Sequence, residues 1–247
     1  KNKKKKIKLA KKFLKEKFDG KINREFRDMR KSPYDKKKLF KINKKFDVII
    51  FLPDFSDAPH CYGNFVFSDF SDWIHETLEF LKLKNLSVAI KVHPNSWVFS
   101  SEKYNDTLKK KYSNLIWFNK NVSNFKIFKN KPRFGISPFG TVLHELAYHK
   151  IIPIAAGPNP HMAYNFVFTP NNKKHYFSLI NQAIHNKLKL RKNFKEKIAE
   201  CYYMFFLHND DYIKNRSREL NLQNYLPAVG VRSIEILEKF NKGHFKK

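Results

Sequence analysis

Several residue types and patterns are scarce in this chain of 247 residues, and each absence excludes a class of protein. The two cysteines, Cys61 and Cys201, have neither metal-ligand spacing nor the density of a disulfide framework. No apolar run reaches the roughly 20 residues of a membrane-spanning helix. No signal-peptide pattern is visible, so we expect a cytoplasmic protein. The seven glycines form neither the dinucleotide-binding fingerprint nor a P-loop, which disfavours dehydrogenases and P-loop ATPases.

Acidic residues are also scarce, with 22 Asp/Glu against 50 Lys/Arg and a net charge of +28. Residues 1–45 hold 21 of the basic and five of the acidic side chains. A basic field concentrates anionic lipids or anionic substrates, although a solvated surface with a compositional bias explains much of the charge equally well. No helix-turn-helix, zinc finger or aromatic RNA-binding motif occurs, so no specific nucleic-acid partner is expected.

The first 18 residues place apolar side chains at helical intervals among lysines. This pattern predicts a basic amphipathic helix, lying either on a membrane surface or against another domain. Residues 19–45 are polar and indicate a linker or loose helices. We therefore predict a basic helical extension over 1–45 and a folded domain over 46–247.

From residue 47 onward, short apolar runs alternate with amphipathic stretches. This alternation predicts an α/β fold with a parallel sheet of about five strands and helices on both faces. The predicted strands are 47–53, 86–94, 114–118, 133–136 and 151–156. Helices are predicted between them and in a helical C-terminal region over 174–187, 194–207 and 231–241.

Polar side chains gather where four of these strands end. In an open parallel sheet, ligands bind beyond the carboxyl ends of the strands, at a switch in strand order. Convergence of these side chains predicts a binding site there. The set is Asp54, Asp57, His60, His93, Asn95, Ser137, Thr141, His144, Glu145, Asn159 and His161.

The segment SPFGT, residues 137–141, is a turn that leads into a predicted helix. Its backbone N–H groups and the hydroxyls of Ser137 and Thr141 suit a phosphate, and Gly140 allows a close backbone approach. Simple capping of the helix by either hydroxyl explains the same pattern. One turn further, Glu145 suits a ribose diol or a first-turn helix acid, while His144 points about 100° away from it.

Two other strand ends carry candidates for chemistry. His93-Pro94 would hold an imidazole over the sheet end, where it can bond a phosphate or share its charge as a cation; a structural histidine is the alternative. Asp57 or His60 can act as a general base towards an acceptor hydroxyl, unless they only shape a turn. That loop lacks metal-ligand spacing, so no metal site is predicted.

Several of these motifs together resemble a known family. HELAYHKIIPIAAG resembles the nucleotide-binding C-terminal half of GT-B glycosyltransferases. KVHP, followed some forty residues later by SPFGTVLHELA, is similar to motifs of bacterial capsule and wall-polymer transferases. IIFLPDFSD resembles the strand and loop that open the donor domain of the CDP-glycerol-dependent members. The likeness covers about residues 46–165.

The resemblance implies a Rossmann-like donor-binding domain of an inverting, metal-independent glycosyltransferase in capsular polysaccharide assembly. It implies a nucleotide-sugar donor, CMP- or UDP-linked, as substrate rather than a cofactor, and a glycan or lipid-linked acceptor. His93, Pro94, Ser137, Gly140 and Thr141 would face the phosphates. The ribose side would fall to Glu145, with His144 and Asn159 beside the donor.

The sequence departs from the CDP-polyol pattern, because SPFGT replaces an Asp-Tyr-Ser-Ser-like run and His144 precedes the glutamate. These departures favour the capsule enzymes. Phosphotransfer from a CDP-polyol and a non-catalytic basic binding module remain the alternatives. About 45 residues precede the first strand, so we expect the acceptor-binding half to be missing from this chain. Peripheral membrane association through residues 1–18 would place the protein at the inner face of the membrane.

Overall fold

The computed structural model describes residues 3–20, 42, 44–61, 63–94 and 99–208. Contacts divide the chain into two compact units, Lys1–Tyr202 and Tyr203–Lys247. The described part of the second unit is a π-helix, Tyr203–His208. The helix predicted at 231–241 and most of the linker predicted across 19–45 lie outside the described residues.

Five short strands form one all-parallel sheet, as the alternating pattern predicted. They are β1 (Val48–Phe51), β2 (Val88–Lys91), β3 (Ile116–Phe118), β4 (Phe134–Ser137) and β5 (Ile152–Ala155), in the order β3-β2-β1-β4-β5. In the register, Ile50 of β1 lies between Ile90 of β2 and Ile136 of β4. Because β1, β2 and β4 are buried along their whole length, their sequences are continuous apolar runs and not alternating ones.

Seven α-helices connect or flank these strands in the described part of the chain, so the fold is α/β and Rossmann-like. They are α1 (Lys3–Phe18), α2 (Phe70–Lys82), α3 (Phe99–Lys111), α4 (Asn124–Lys129), α5 (Val142–Tyr148), α6 (Lys173–Ile184) and α7 (Phe194–Tyr202). The helices predicted at 174–187 and 194–207 correspond to α6 and α7, and α7 ends at Tyr202, where the π-helix begins.

One face of the sheet is covered by α2, α3 and α6. Val48 and Ile50 point to this face and join its buried apolar cluster. Trp73 of α2 is fully buried there, and its indole N–H donates to the Tyr176 hydroxyl of α6 at 2.9 Å. Thr77 also bonds that hydroxyl, so the polar atoms of these three side chains are paired.

The other face is covered by α4 and α5. Side chains alternate along a strand, so Ile49 and Phe51 point here, and Phe51 lies 6.1 Å from the Phe128 ring of α4. Gly135 of β4 lets α5 approach closely. A methyl group at that position would lie 2.6 Å from both terminal carbons of Leu146.

Helix α1 packs within the same chain, against α7 and the end of α5. Ile7, Ala10, Leu14 and Phe18 are buried, and the Phe18 ring stacks on Tyr148 at a centroid distance of 4.3 Å. The apolar face that predicted an amphipathic helix is therefore occupied by protein. Membrane association through residues 1–18 stays a prediction, and it would have to use the lysine-bearing outer face.

Candidate functional site

A pocket lies at the carboxyl ends of β1, β2 and β4. The chain leaves β1 towards β2 on one side and later places β4 on the other, so the loops that follow these strands diverge and leave a crevice. The cavity has a volume of about 140 Å³ and is closed on one side by residues of α4 and α5. Of the predicted site residues, Asp57, His93, Pro94, Ser137, Gly140, Thr141 and Glu145 line it, together with Asp54.

The pocket contains a buried lysine that the sequence reasoning missed. Lys91 ends β2 and is only 1% exposed. Its Nζ donates to the carbonyl oxygens of Val92 and Lys120, both at 3.2 Å. Burial lowers the pKa of Lys91 to about 7, so a large fraction of this amine is neutral at physiological pH. An anion in the pocket would favour its charged form.

His93 follows Lys91 closely and lines the same wall. Burial lowers the pKa of His93 to about 4, against the smaller opposing effect of the Asp54 carboxylate, and Lys91 lowers it further. The imidazole is therefore neutral at pH 7, in contrast to the cationic form considered from the sequence. His93 can act as a hydrogen-bonding group, while Lys91 is the source of positive charge on this wall.

Asp54 and Asp57 follow β1 and have different environments. Asp54 is 7% exposed, and its Oδ1 accepts bonds from the Ser56 hydroxyl at 2.6 Å and the Ser101 hydroxyl at 2.5 Å. Burial alone would raise the pKa of Asp54, but these bonds and His93 lower it. Asp57 is exposed, and partial desolvation together with the Asp54 charge raises its pKa. Asp57 therefore takes up a proton more readily than Asp54.

The turn between β4 and α5 supplies hydroxyl groups. Ser137 is buried at the end of β4, and a methyl group at Gly140 would lie 3.3 Å from the Ser137 Oγ. Thr141 is exposed, and its side chain makes no capping bond to α5. The capping alternative is therefore not realised at Thr141, whose hydroxyl remains available at the pocket edge. Since α5 has only seven residues, we assign no anion site to its dipole.

Glu145 lies in the pocket wall, but its carboxylate is already engaged. It is 2% exposed, and Oε1 forms an ion pair with Lys17 of α1 at 2.8 Å. Its Oε2 accepts a bond from the Asn124 side chain of α4 at 3.2 Å. Glu145, the predicted ribose ligand, is therefore already bonded to Lys17 and Asn124.

His144, the neighbour of Glu145, does not line the pocket. It is 1% exposed and accepts a bond from the Lys17 ammonium at Nε2, over 3.2 Å. An ammonium group only donates, so Nε2 is unprotonated and the proton of the neutral ring is on Nδ1. Burial holds the pKa of His144 well below its usual value, as do Lys17 and His161. Because successive residues of a helix point about 100° apart, Glu145 lines the pocket and His144 does not.

His60 and Asn159 also lie outside the pocket lining. The Nδ1 atom of His60 accepts from the Phe65 N–H at 3.1 Å, and its Nε2 contacts the Ser68 carbonyl oxygen. Asn159 bonds the Gly157 carbonyl oxygen and the Thr169 hydroxyl, which shapes its own turn. Neither residue is brought to the site of the others, while Asn95 lies outside the described residues.

Sequence similarity assigns this chain to no known protein family. The sequence matches no protein-family model, and no curated protein is significantly similar to it. None of the described helices is long and apolar enough to span a membrane. Across the described ranges, no group of three or more His, Cys, Asp or Glu residues is arranged to hold a metal ion.

Proposed function

We propose that this pocket binds the phosphate end of a nucleotide-activated sugar and that the chain acts in a glycosyltransferase of surface polysaccharide assembly. The observation that carries the proposal is Lys91, a buried amine at the switch point of a parallel sheet. A lysine in such a position is stabilised by an anionic ligand, because the ligand supplies the counter-charge that burial withholds. The motif resemblance to GT-B transferases supplies the substrate class.

The volume of the cavity supports a phosphate as the group that enters it. Pockets that enclose a whole small-molecule ligand measure roughly 300–1,000 Å³, against about 140 Å³ here. This space suits one phosphate and part of a sugar, with the rest of the donor lying across the open side. Lys91, His93, Ser137 and Thr141 surround the proposed phosphate position, and Glu145 lies in the wall beside it.

The proposed reaction is transfer of the sugar from phosphate to an acceptor hydroxyl. The acceptor oxygen attacks the anomeric carbon as its bond to the phosphate oxygen breaks, and the electron pair leaves with the phosphate. Lys91 and the hydroxyl groups stabilise the charge on the departing phosphate. Asp57, whose pKa is raised by desolvation and Asp54, takes the acceptor proton.

A thermal-shift panel with CMP, CDP, UDP and GDP tests the binding step. We expect at least one nucleotide to raise the melting temperature, since a ligand at 100 times its Kd stabilises a protein by about 2.7 kcal/mol. Lys91→Met and His93→Gln should lose this shift, while Lys189→Met, an exposed lysine away from the pocket, should keep it. No shift with any nucleotide at millimolar concentration would refute the proposal.

A further inference from the structure

The strongest unexplained feature near the pocket is the buried ion pair between Lys17 and Glu145. Both side chains are almost completely shielded from water, with exposed fractions of 0% and 2%. Lys17 belongs to α1, at the start of the chain, whereas Glu145 lies on α5 and lines the pocket. A helix remote in sequence thus contributes a cation directly behind the pocket wall.

The last turn of α1 is also held against the end of α5 by aromatic contacts of Phe18. The Phe18 ring stacks on Tyr148 and meets His149 edge to face, at centroid distances of 4.3 and 4.8 Å. Lys17 bonds His144 as well as Glu145. The ammonium group therefore has two fixed partners on one helix, and its position sets the orientation of the carboxylate.

Stability alone is a weak reason for this arrangement. Desolvation of two charges offsets most of their attraction, and a well-packed apolar pair of similar size is often at least as stable. A charged pair has a clearer use where the orientation of a carboxylate beside a ligand must be fixed, and here Lys17 and Asn124 each hold one oxygen of Glu145.

We propose that Lys17 is a positioning residue of the pocket, which holds the Glu145 carboxylate to accept hydrogen bonds from a pair of ligand hydroxyls. A carboxylate has about four lone-pair sites. Lys17 occupies one on Oε1 and Asn124 one on Oε2, so each oxygen retains one for a hydroxyl. Helix α1 is then part of the binding site. This inference rests on the proposed function, because it concerns the sugar hydroxyls of the same ligand.

The test compares ligands with and without those hydroxyls. Binding of UDP, CDP, their 2′,3′-dideoxy counterparts and sulfate is measured by calorimetry on the full chain. For wild type we expect the ribose form to bind at least tenfold more tightly than the dideoxy form. In Lys17→Met the ratio should fall to about one, while sulfate affinity stays within about twofold. Lys15→Met, exposed on the last turn of α1, is the matched control and should behave as wild type.

A second variant covers the case in which Lys17→Met does not fold, since it leaves Glu145 buried without its cation. The double variant Lys17→Met/Glu145→Gln removes both charges and should also bind the two nucleotide forms equally. An unchanged ratio in a folded Lys17 variant overturns the positioning role. An equal loss of affinity for nucleotide and for sulfate also overturns the positioning role, because such a loss indicates that Lys17 is purely structural. Absence of any binding by wild type refutes the proposed function itself.

Discussion

The ammonium group of Lys91 occupies a place that is unfavourable for stability and favourable for binding an anion. Its pKa of about 7 in the folded state is far below the value of about 10.5 in an unfolded chain. Between pH 10.5 and 7 the unfolded state therefore binds more protons than the folded state. Stability contributed by the neutral amine is present at high pH and is lost as the pH falls through this window.

Replacement of Lys91 should raise stability, although it weakens binding of an anion. We expect Lys91→Met to raise the free energy of unfolding at pH 7 by about 1–3 kcal/mol, because it removes a desolvated charge and keeps the packing. Urea unfolding of both proteins at pH 7 and pH 10 measures the difference, which should shrink at the higher pH. Lys189→Met provides the exposed control. A variant less stable than wild type at pH 7 would contradict this account of Lys91.

Single residues also show where sequence reasoning reaches its limit. The adjacent His144 and Glu145 were both candidates, and helical geometry predicted that only one would face a ligand squarely. The structure places Glu145 at the pocket and His144 away from it, and Lys17 of α1 contacts both residues. Asn159 was a reasonable candidate by position, but its amide turns back to bond its own loop. These orientations depend on side-chain packing, which has no periodic signal in the chain.

At the scale of elements, α1 combines two surfaces with different partners. Its buried face is packed on the protein, whereas Lys4, Lys5, Lys8, Lys12 and Lys15 are exposed on the outside. This arrangement leaves Leu9, at 43% exposure, as the large apolar side chain that α1 presents to solvent. Contact with an anionic bilayer would therefore be electrostatic, with little insertion into the hydrocarbon.

The lysine face leads to a specific expectation for membranes. Each lysine near an anionic bilayer contributes about 1 kcal/mol, so the triple variant Lys4→Gln/Lys8→Gln/Lys15→Gln should weaken vesicle binding on the order of 100-fold. The control, Lys103→Gln/Lys109→Gln/Lys110→Gln, removes the same charge from exposed positions on α3. Sedimentation with phosphatidylserine vesicles at 50 and 500 mM salt measures both. Equal effects of the two variants would show that only net charge matters.

The helical pattern of α1 contained a signal that the sequence interpretation did not use. With 100° per residue, Lys17 falls on the same stripe as Ala10 and Leu14. A lysine on the apolar stripe of a helix is expected to be paired when the stripe is buried. The pattern could thus have marked Lys17 as unusual. Its partner could not be found in this way, because the contact of α1 with α5 is tertiary.

For the whole molecule, buried neutral histidines make stability depend on pH. Burial lowers the pKa of His161 to about 4, against a hydrogen bond with the Gly140 backbone that raises it. The unfolded histidine takes up a proton near pH 6.5. The stability contributed by neutral His161 is therefore complete above that pH and is lost as the pH falls towards 4.

Acidification should therefore lower the free energy of unfolding, and replacement of His161 should make this loss smaller. Between pH 7 and 5, His161 alone should account for a loss of about 2 kcal/mol in the free energy of unfolding. Urea titrations at both pH values measure it. His161→Gln should show a smaller loss than wild type, and His185→Gln, at an exposed position, should not. A pH dependence unchanged in His161→Gln would contradict the assignment.

The overall fold is the feature that the sequence predicted best. Five apolar runs predicted the five strands, and their alternation with helices predicted a parallel sheet with both faces covered. Both predictions are confirmed, because burial of a parallel sheet on both faces requires such runs. The strand order then places the polar ends of β1, β2 and β4 around one crevice, while Asn159 after β5 lies outside it. Lys91 was missed, since a lysine in a strongly basic chain carries little information until its burial is known.

The pairing of α1 with α5 has a consequence for the time course of synthesis. Lys17 and His144 are separated by 127 residues, and a ribosome adds roughly 5–20 residues per second. Helix α1 therefore leaves the ribosome on the order of 10 s before the surface that will cover its apolar face. During this interval a nascent chain presents both faces of a lysine-rich amphipathic helix. An anionic membrane that the nascent chain meets at this stage would bind α1 more strongly than it binds α1 in the folded protein.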